Sequence, residues 1–158
     1  MNAVTKPLAL VTGVGPGTGA AVARRFARGG YRVAMLARNA DRLAALEAEI
    51  ADAIAVPCDV CDASALERAV ARVGAPQVVV HNAVGGAFGT FEEIEAQTLS
   101  RNFEVNTMAL FHLARLTAPA MVMGSTSGIR RSRRSMVSVP FAVSCSSAPA
   151  TPTPLSRS

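Results

Sequence analysis

A chain of 158 residues, half of them hydrophobic and 17% charged, has the material for one domain with a real core and little room for two. Its formal charge of +5 would suit a nucleic-acid or membrane partner. Residues 1–121 are neutral, however, with eleven basic and eleven acidic side chains, so the excess lies in Arg130, Arg131, Arg133, Arg134 and Arg157. No run reaches the roughly 18 apolar residues of a membrane span. The apolar stretch after Lys6 is too short for a secretory signal, and three cysteines, an odd count, suit a reducing compartment, so a cytoplasmic location is expected.

In chain order, residues 8–12 are an apolar run that predicts a buried strand. It enters a glycine-rich turn that opens into a helix over Ala20–Arg28, where Val22 and Phe26 share a face with Ala23 and Ala27 and Gly29-Gly30 supplies the stop. Gly13, Gly17 and Gly19 leave room for a tight turn, a pyrophosphate and a close helix–strand contact. The helix behind them offers free N–H groups and the positive end of its dipole. Tyr31–Ala37 is a second strand; Asn39 or Asp41 caps a helix carrying Leu43, Leu46 and Ile50; Ala53–Pro57 is a third strand. Asp62 or Ser64 caps a helix with Leu66, Val70 and Val73, and Gln77–Val80 is a strand apolar enough to be buried on both faces. A long helix follows over about Thr98–Ala118, with Phe103, Met108, Phe111 and Leu116 among its apolar positions. Such alternation predicts an α/β fold: a doubly wound parallel sheet with helices on both sides.

Composition changes abruptly after Met121. Ten of the twelve serines and none of the acids lie in residues 122–158, and the Pro-rich segment 148–154 reads as an irregular end without a core face. The domain is therefore placed at 1–121 and a Ser/Arg/Pro-rich tail at 122–158. Within the tail only Met136–Val143 could form a strand, which Pro140 confines to an edge.

Thr12-Gly13-x-x-x-Gly17-x-Gly19 resembles the cofactor signature of short-chain dehydrogenases/reductases, and further matches follow in order. Asp59-Val60, past the third strand, is similar to the pair that contacts adenine in that family. His81-Asn82-Ala83-Val84 resembles its Asn-Asn-Ala-Gly motif, departing from it at His81 and Val84. Asn106 stands where the family has the Asn that orders a proton-relay water. The resemblance spans about residues 7–121. It implies a Rossmann-type sheet with four family strands in the order 3-2-1-4, leaving strand 77–80 at an edge. It also implies a cofactor site at Gly13, Gly15, Gly17, Thr18, Gly19, Arg38, Asp59, Val60, Asn82 and Ala83, and hydride transfer between NAD(P)(H) and a small-molecule alcohol or carbonyl. Arg38 sits where the family reads the adenosine ribose. A guanidinium there can clamp a 2′-phosphate, so NADP is expected over NAD.

Family chemistry also uses a Tyr, a Lys four residues later and a Ser. The only tyrosine here is Tyr31 and the only lysine Lys6, both in early strands or their approaches, and Ser125 or Ser127 could only mimic the Ser. The expectation is a truncated or frame-shifted form with weak cofactor binding and no hydride transfer. A homo-oligomer would have an incomplete family interface. The rival reading is a noncatalytic dinucleotide-fold module whose Arg130–Arg134 tail binds nucleic acid. Cys58-x-x-Cys61 reads as a structural pair, with no metal site expected, and His112 as a packed or solvated residue.

Overall fold

The structure, a computed structural model, describes residues 6–87, 89–124 and 142–143. Ser125, Ser127, the Arg130–Arg134 run and Cys145 lie outside the described residues. Strand β1 (Leu8–Thr12), helix α1 (Thr18–Arg28), β2 (Arg32–Ala37), α2 (Ala40–Glu49), β3 (Ala53–Pro57), α3 (Ala63–Val73) and β4 (Val78–His81) alternate as expected. Of the alternative caps, Asn39 and Asp62 are the ones used. The side chain of Asn39 accepts from the Arg42 amide, and that of Asp62 from the Ala65 amide, each satisfying an otherwise orphaned helix N–H.

The strands are parallel and run in the order β3-β2-β1-β4, which places β1, the entry to the glycine turn, inside the sheet. A fifth strand, β5 (Ala142–Val143), pairs in parallel with the far side of β4, Val80 opposite Ala142 and His81 opposite Val143. This corrects the expectation that β4 is an edge: its outer backbone groups are partly paired by residues that fall in the stretch assigned to the tail. The two-residue strand lies inside the Met136–Val143 candidate and takes the edge position itself.

Alternation along β1 and β2 divides the core into two layers. Leu8, Leu10, Ala34 and Leu36 face α3 and the long helix, packing with Leu66, Val73 and Leu113. Val11, Val33 and Met35 face α1 and α2, packing with Ala20, Ala23, Leu43 and Leu46. Every residue of β1 is buried, as a strand covered on both faces requires.

The long helix is a composite. Helix α4 (Ala96–Phe103) runs into a π-helical turn, Glu104–Met108, and on into α5 (Ala109–Gly124), so it starts two residues before and ends six residues after the expected span. Ala109, Leu113 and Thr117 form its buried stripe at helical spacing, and the Thr117 hydroxyl donates to the Leu113 carbonyl one turn back. Phe103 and Phe111 stand half exposed, with the Arg115 guanidinium over the Phe111 ring. Among the described residues, no helix is long and apolar enough to cross a membrane.

Leu113 fills the layer between the helix and the sheet, whereas Phe111 faces out. Leu113→Ala is expected to lower unfolding free energy by about 2–4 kcal/mol, and Phe111→Ala by less than about 1 kcal/mol, as read from urea denaturation midpoints.

Candidate functional site

The glycine turn is shaped by what a side chain would strike. Gly13 has φ +69°, and a Cβ there would lie 2.3 Å from the Ala83 amide nitrogen, so only glycine permits this close approach of β1 to the end of β4. A Cβ on Gly19 would lie 2.6 Å from the Gly13 carbonyl oxygen and 2.7 Å from the Val14 Cα, which is the close contact between helix and strand. Gly15 and Gly17 differ in kind: a Cβ at either meets nothing within 4 Å. They border open space, and α1 begins behind them at Gly17 with no capping side chain and no acidic residue in its first turn.

Gly15 opens onto a groove of about 400 Å³ at the C-terminal ends of β1 to β4, where ligands of open parallel sheets bind. Gly13, Gly15, Arg38, Asp59, Val60 and Ala83 line it, so six of the ten expected cofactor-site residues come together. Gly17, Thr18, Gly19 and Asn82 do not line it. Asn82 works from behind, its side-chain amide donating to the Gly13 carbonyl at 2.9 Å and so holding the turn to β4. Arg42, Asn39 and Val105 also line the groove and were not anticipated. A signal for Arg42 did exist: four residues past Arg38, it occupies the first turn of a helix that Asn39 caps beside the groove.

Asp59 is held by its neighbours. One carboxylate oxygen accepts from the Cys61 amide at 3.0 Å and the other from the Arg101 guanidinium at 3.3 Å. The amide bond, more than the guanidinium charges of Arg101 and Arg38, holds its carboxyl below the usual range, so it is ionised at neutral pH. Burial, followed by the nearby Asp59 carboxylate, pushes the Cys58 thiol up, the opposite of an activated thiolate. Both described cysteines are free, and no cluster of three His, Cys, Asp or Glu side chains suited to a metal occurs among the described residues.

Asn106 lies in the π-helical turn with its amide fully committed. Its oxygen accepts from the Gly85 N–H at 2.9 Å and its nitrogen donates to the Gly85 carbonyl at 3.0 Å. His81, the departure from the Asn-Asn-Ala-Gly pattern, is buried between β1 and this turn. Its Nε2 is 3.0 Å from the Val105 carbonyl oxygen, which can only accept, so the proton sits on Nε2. The neutral ring therefore accepts at Nδ1 from the Thr12 hydroxyl, 2.9 Å away. Tyr31 stacks edge to face on Phe26 just before β2, and Lys6 pairs with Asp52 just before β1.

The two classes of glycine separate in a simple experiment. Gly13→Ala is expected to cost about 2 kcal/mol or more of stability through its left-handed φ and its clash with Ala83, while Gly15→Ala stays within about 0.5 kcal/mol, as measured by thermal or urea unfolding.

The profile of the short chain dehydrogenase family matches residues 7–130. D-erythrulose reductase of Gallus gallus is 34% identical over 114 residues, which cover 72% of this chain and 46% of that protein. The 7alpha-hydroxysteroid dehydrogenase of Escherichia coli K12 is 33% identical over 121 residues, 72% of this chain and 47% of that protein. Among solved structures, a metagenomic short-chain oxidoreductase in complex with NADP superposes with a TM-score of 0.70 at 32% identity, covering 76% of this chain and 58% of that one. The chain thus spans about half the length of the curated relatives it matches.

Proposed function

The chain belongs to the short-chain dehydrogenase family, and from that premise we propose that its described part is the adenosine half of an NADP site. The observation that carries this reading is the convergence of Gly13, Gly15, Arg38, Asp59 and Ala83 on one groove at the C-terminal ends of the strands. Each has a chemical task there. The glycine turn and the head of α1 would receive the pyrophosphate, Gly15 and Gly17 leaving the space for it. Asp59, ionised and fixed, would face the adenine rim, with Val60 and Ala83 forming apolar walls.

Preference for the 2′-phosphorylated dinucleotide rests on charge. Arg38 and Arg42 both line the groove beside the second strand, and no carboxylate stands at that strand end to accept from a ribose 2′-hydroxyl. A phosphate dianion between two guanidiniums gains paired charge-assisted bonds.

The bound dinucleotide would supply hydride exchange with an alcohol or carbonyl carbon. The proton side of that reaction is what this chain cannot furnish. Tyr31 and Lys6 lie before the N-terminal ends of β2 and β1, and a strand of five or six residues, about 17–20 Å, separates each from the groove. Asn106, the family's proton-relay position, has both ends of its side-chain amide bonded to Gly85. The chain as it stands therefore binds dinucleotide without turning over a carbonyl, and assignment to a particular alcohol or carbonyl has no residue here to rest on.

Titration of the purified chain with NADP⁺ and NAD⁺ tests this directly. NADP⁺ is expected to bind at least about tenfold more tightly, with Arg38→Asp narrowing or reversing the gap. Equal affinities contradict the two-arginine reading, and NADPH consumption with any carbonyl panel member contradicts the noncatalytic one.

A further inference from the structure

Thr12, His81 and Val105 come from three different elements, yet one imidazole joins them. Thr12 ends β1 at the root of the glycine turn, His81 ends β4, and Val105 sits in the π-helical turn and lines the groove. The ring donates from Nε2 to Val105 at 3.0 Å and accepts at Nδ1 from Thr12 at 2.9 Å, while the next residue, Asn82, holds the Gly13 carbonyl with its side chain and donates its backbone N–H to the Thr12 carbonyl. One side chain therefore ties the floor of the groove to its wall. The π-helical turn is anchored at two successive residues: His81 bonds the Val105 carbonyl, and the Asn106 side chain bonds the backbone of Gly85.

We propose that neutral His81 is a positioning residue for the dinucleotide groove, and that its protonation loosens the groove and weakens NADP binding. A proton taken from solvent at Nδ1 turns the acceptor into a second donor. The Thr12 hydroxyl, wholly buried, must then turn its own proton away to accept from Nδ1, and the imidazolium charge is held in a buried site. Among the described residues that meet the ring, none brings a charge to offset the new cation. From β1 the ring meets a hydroxyl, from the π-helical turn a backbone carbonyl, and Glu104 at the head of that turn is exposed. Burial lowers the titration of His81 below 6.5, with the Val105 carbonyl opposing in part. The sign follows: the unfolded or loosened chain binds the proton more readily, so the contribution of the neutral ring is complete above about pH 6.5 and is lost as pH falls below it. An asparagine places its carboxamide oxygen where the ring carries Nδ1, so His81→Asn should keep the Thr12 bond with no titrating group and lose the pH dependence.

This inference rests on the NADP reading and deepens it. The experiment is calorimetric titration of the full chain with NADP⁺ at about pH 8 and about pH 5.5, in the wild type and in His81→Asn, whose ratio cancels titration of the ligand's own phosphate. The wild type is expected to lose about fivefold more affinity than the variant between the two conditions, the low end of ordinary couplings. In parallel, the two histidines are followed by proton NMR, with His112→Gln assigning the signals. By reciprocity NADP⁺ should lower the pKa of His81 and leave that of His112 unmoved. The NMR arm uses the wild-type fold at His81, so it stands if His81→Asn fails to fold. Parallel affinity profiles, or a His81 pKa indifferent to NADP⁺, overturn the inference alone. Absence of binding at about pH 8 in the wild type overturns the NADP reading and this inference with it.

Discussion

A methyl group on Gly13 would sit 2.3 Å from a backbone nitrogen of β4, and one on Gly19 would sit 2.6 Å from the carbonyl of Gly13. The absence of both groups lets three backbones, the end of β1, the end of β4 and the head of α1, meet in the volume of one residue. From that meeting the rest of the site follows. The Asn82 amide can reach the Gly13 carbonyl only because the strands end this close together, while Gly15 borders the groove and Gly17 faces open space instead of packing inward. The parallel order β3-β2-β1-β4 then carries Arg38 and Asp59 to the same end of the sheet, because parallel strands all finish on one side. An open glycine turn, a guanidinium and a carboxylate thus share one groove as consequences of one close contact and one sheet polarity.

The same polarity decides which residues of this chain lie away from the groove. Residues before a parallel strand lie at one end of the sheet and residues after it at the other. Tyr31 and Lys6 precede their strands, and so the chemistry they could supply is placed away from the groove, where each is used for packing or pairing. Asn106 is on the correct side but is spent as a strut for Gly85. Arg38, Arg42 and ionised Asp59 all line the groove at the opposite end of the sheet from Tyr31 and Lys6.

Much of this was legible in the residues, and the boundary of legibility has a physical cause. The strands Leu8–Thr12 and Ala53–Pro57, the caps at Asn39 and Asp62, and the glycine spacing are local signals, each contained within a few residues of chain. Gly19 could be assigned to a close helix–strand contact because helix follows strand directly. What escaped depends on register between distant segments. The Thr12–His81 bond spans 69 residues and the His81–Val105 bond 24, and a single-residue slip in β4 would turn His81 to the other face of the sheet. Read locally, His81 was only a departure from a motif. The π-helical turn has no compositional mark, since its extra residue is defined by what binds its backbone. Pairing of β5 with β4 escaped for a different reason: two residues carry no periodicity, so their partner cannot be inferred.

On our reading one groove, bounded by the glycine turn and the ends of β2, β3 and β4, receives a dinucleotide. Amide chemical-shift mapping of the uniformly ¹⁵N-labelled chain with NADP⁺ tests it most directly, because every bordering backbone N–H reports separately. The account predicts saturable shifts concentrated at Gly13, Gly15, Gly17, Arg38, Asp59, Val60 and Ala83, with Leu113 and the remainder of the α5 core stripe still. Saturable shifts centred elsewhere, or none at millimolar ligand on a folded spectrum, would contradict it.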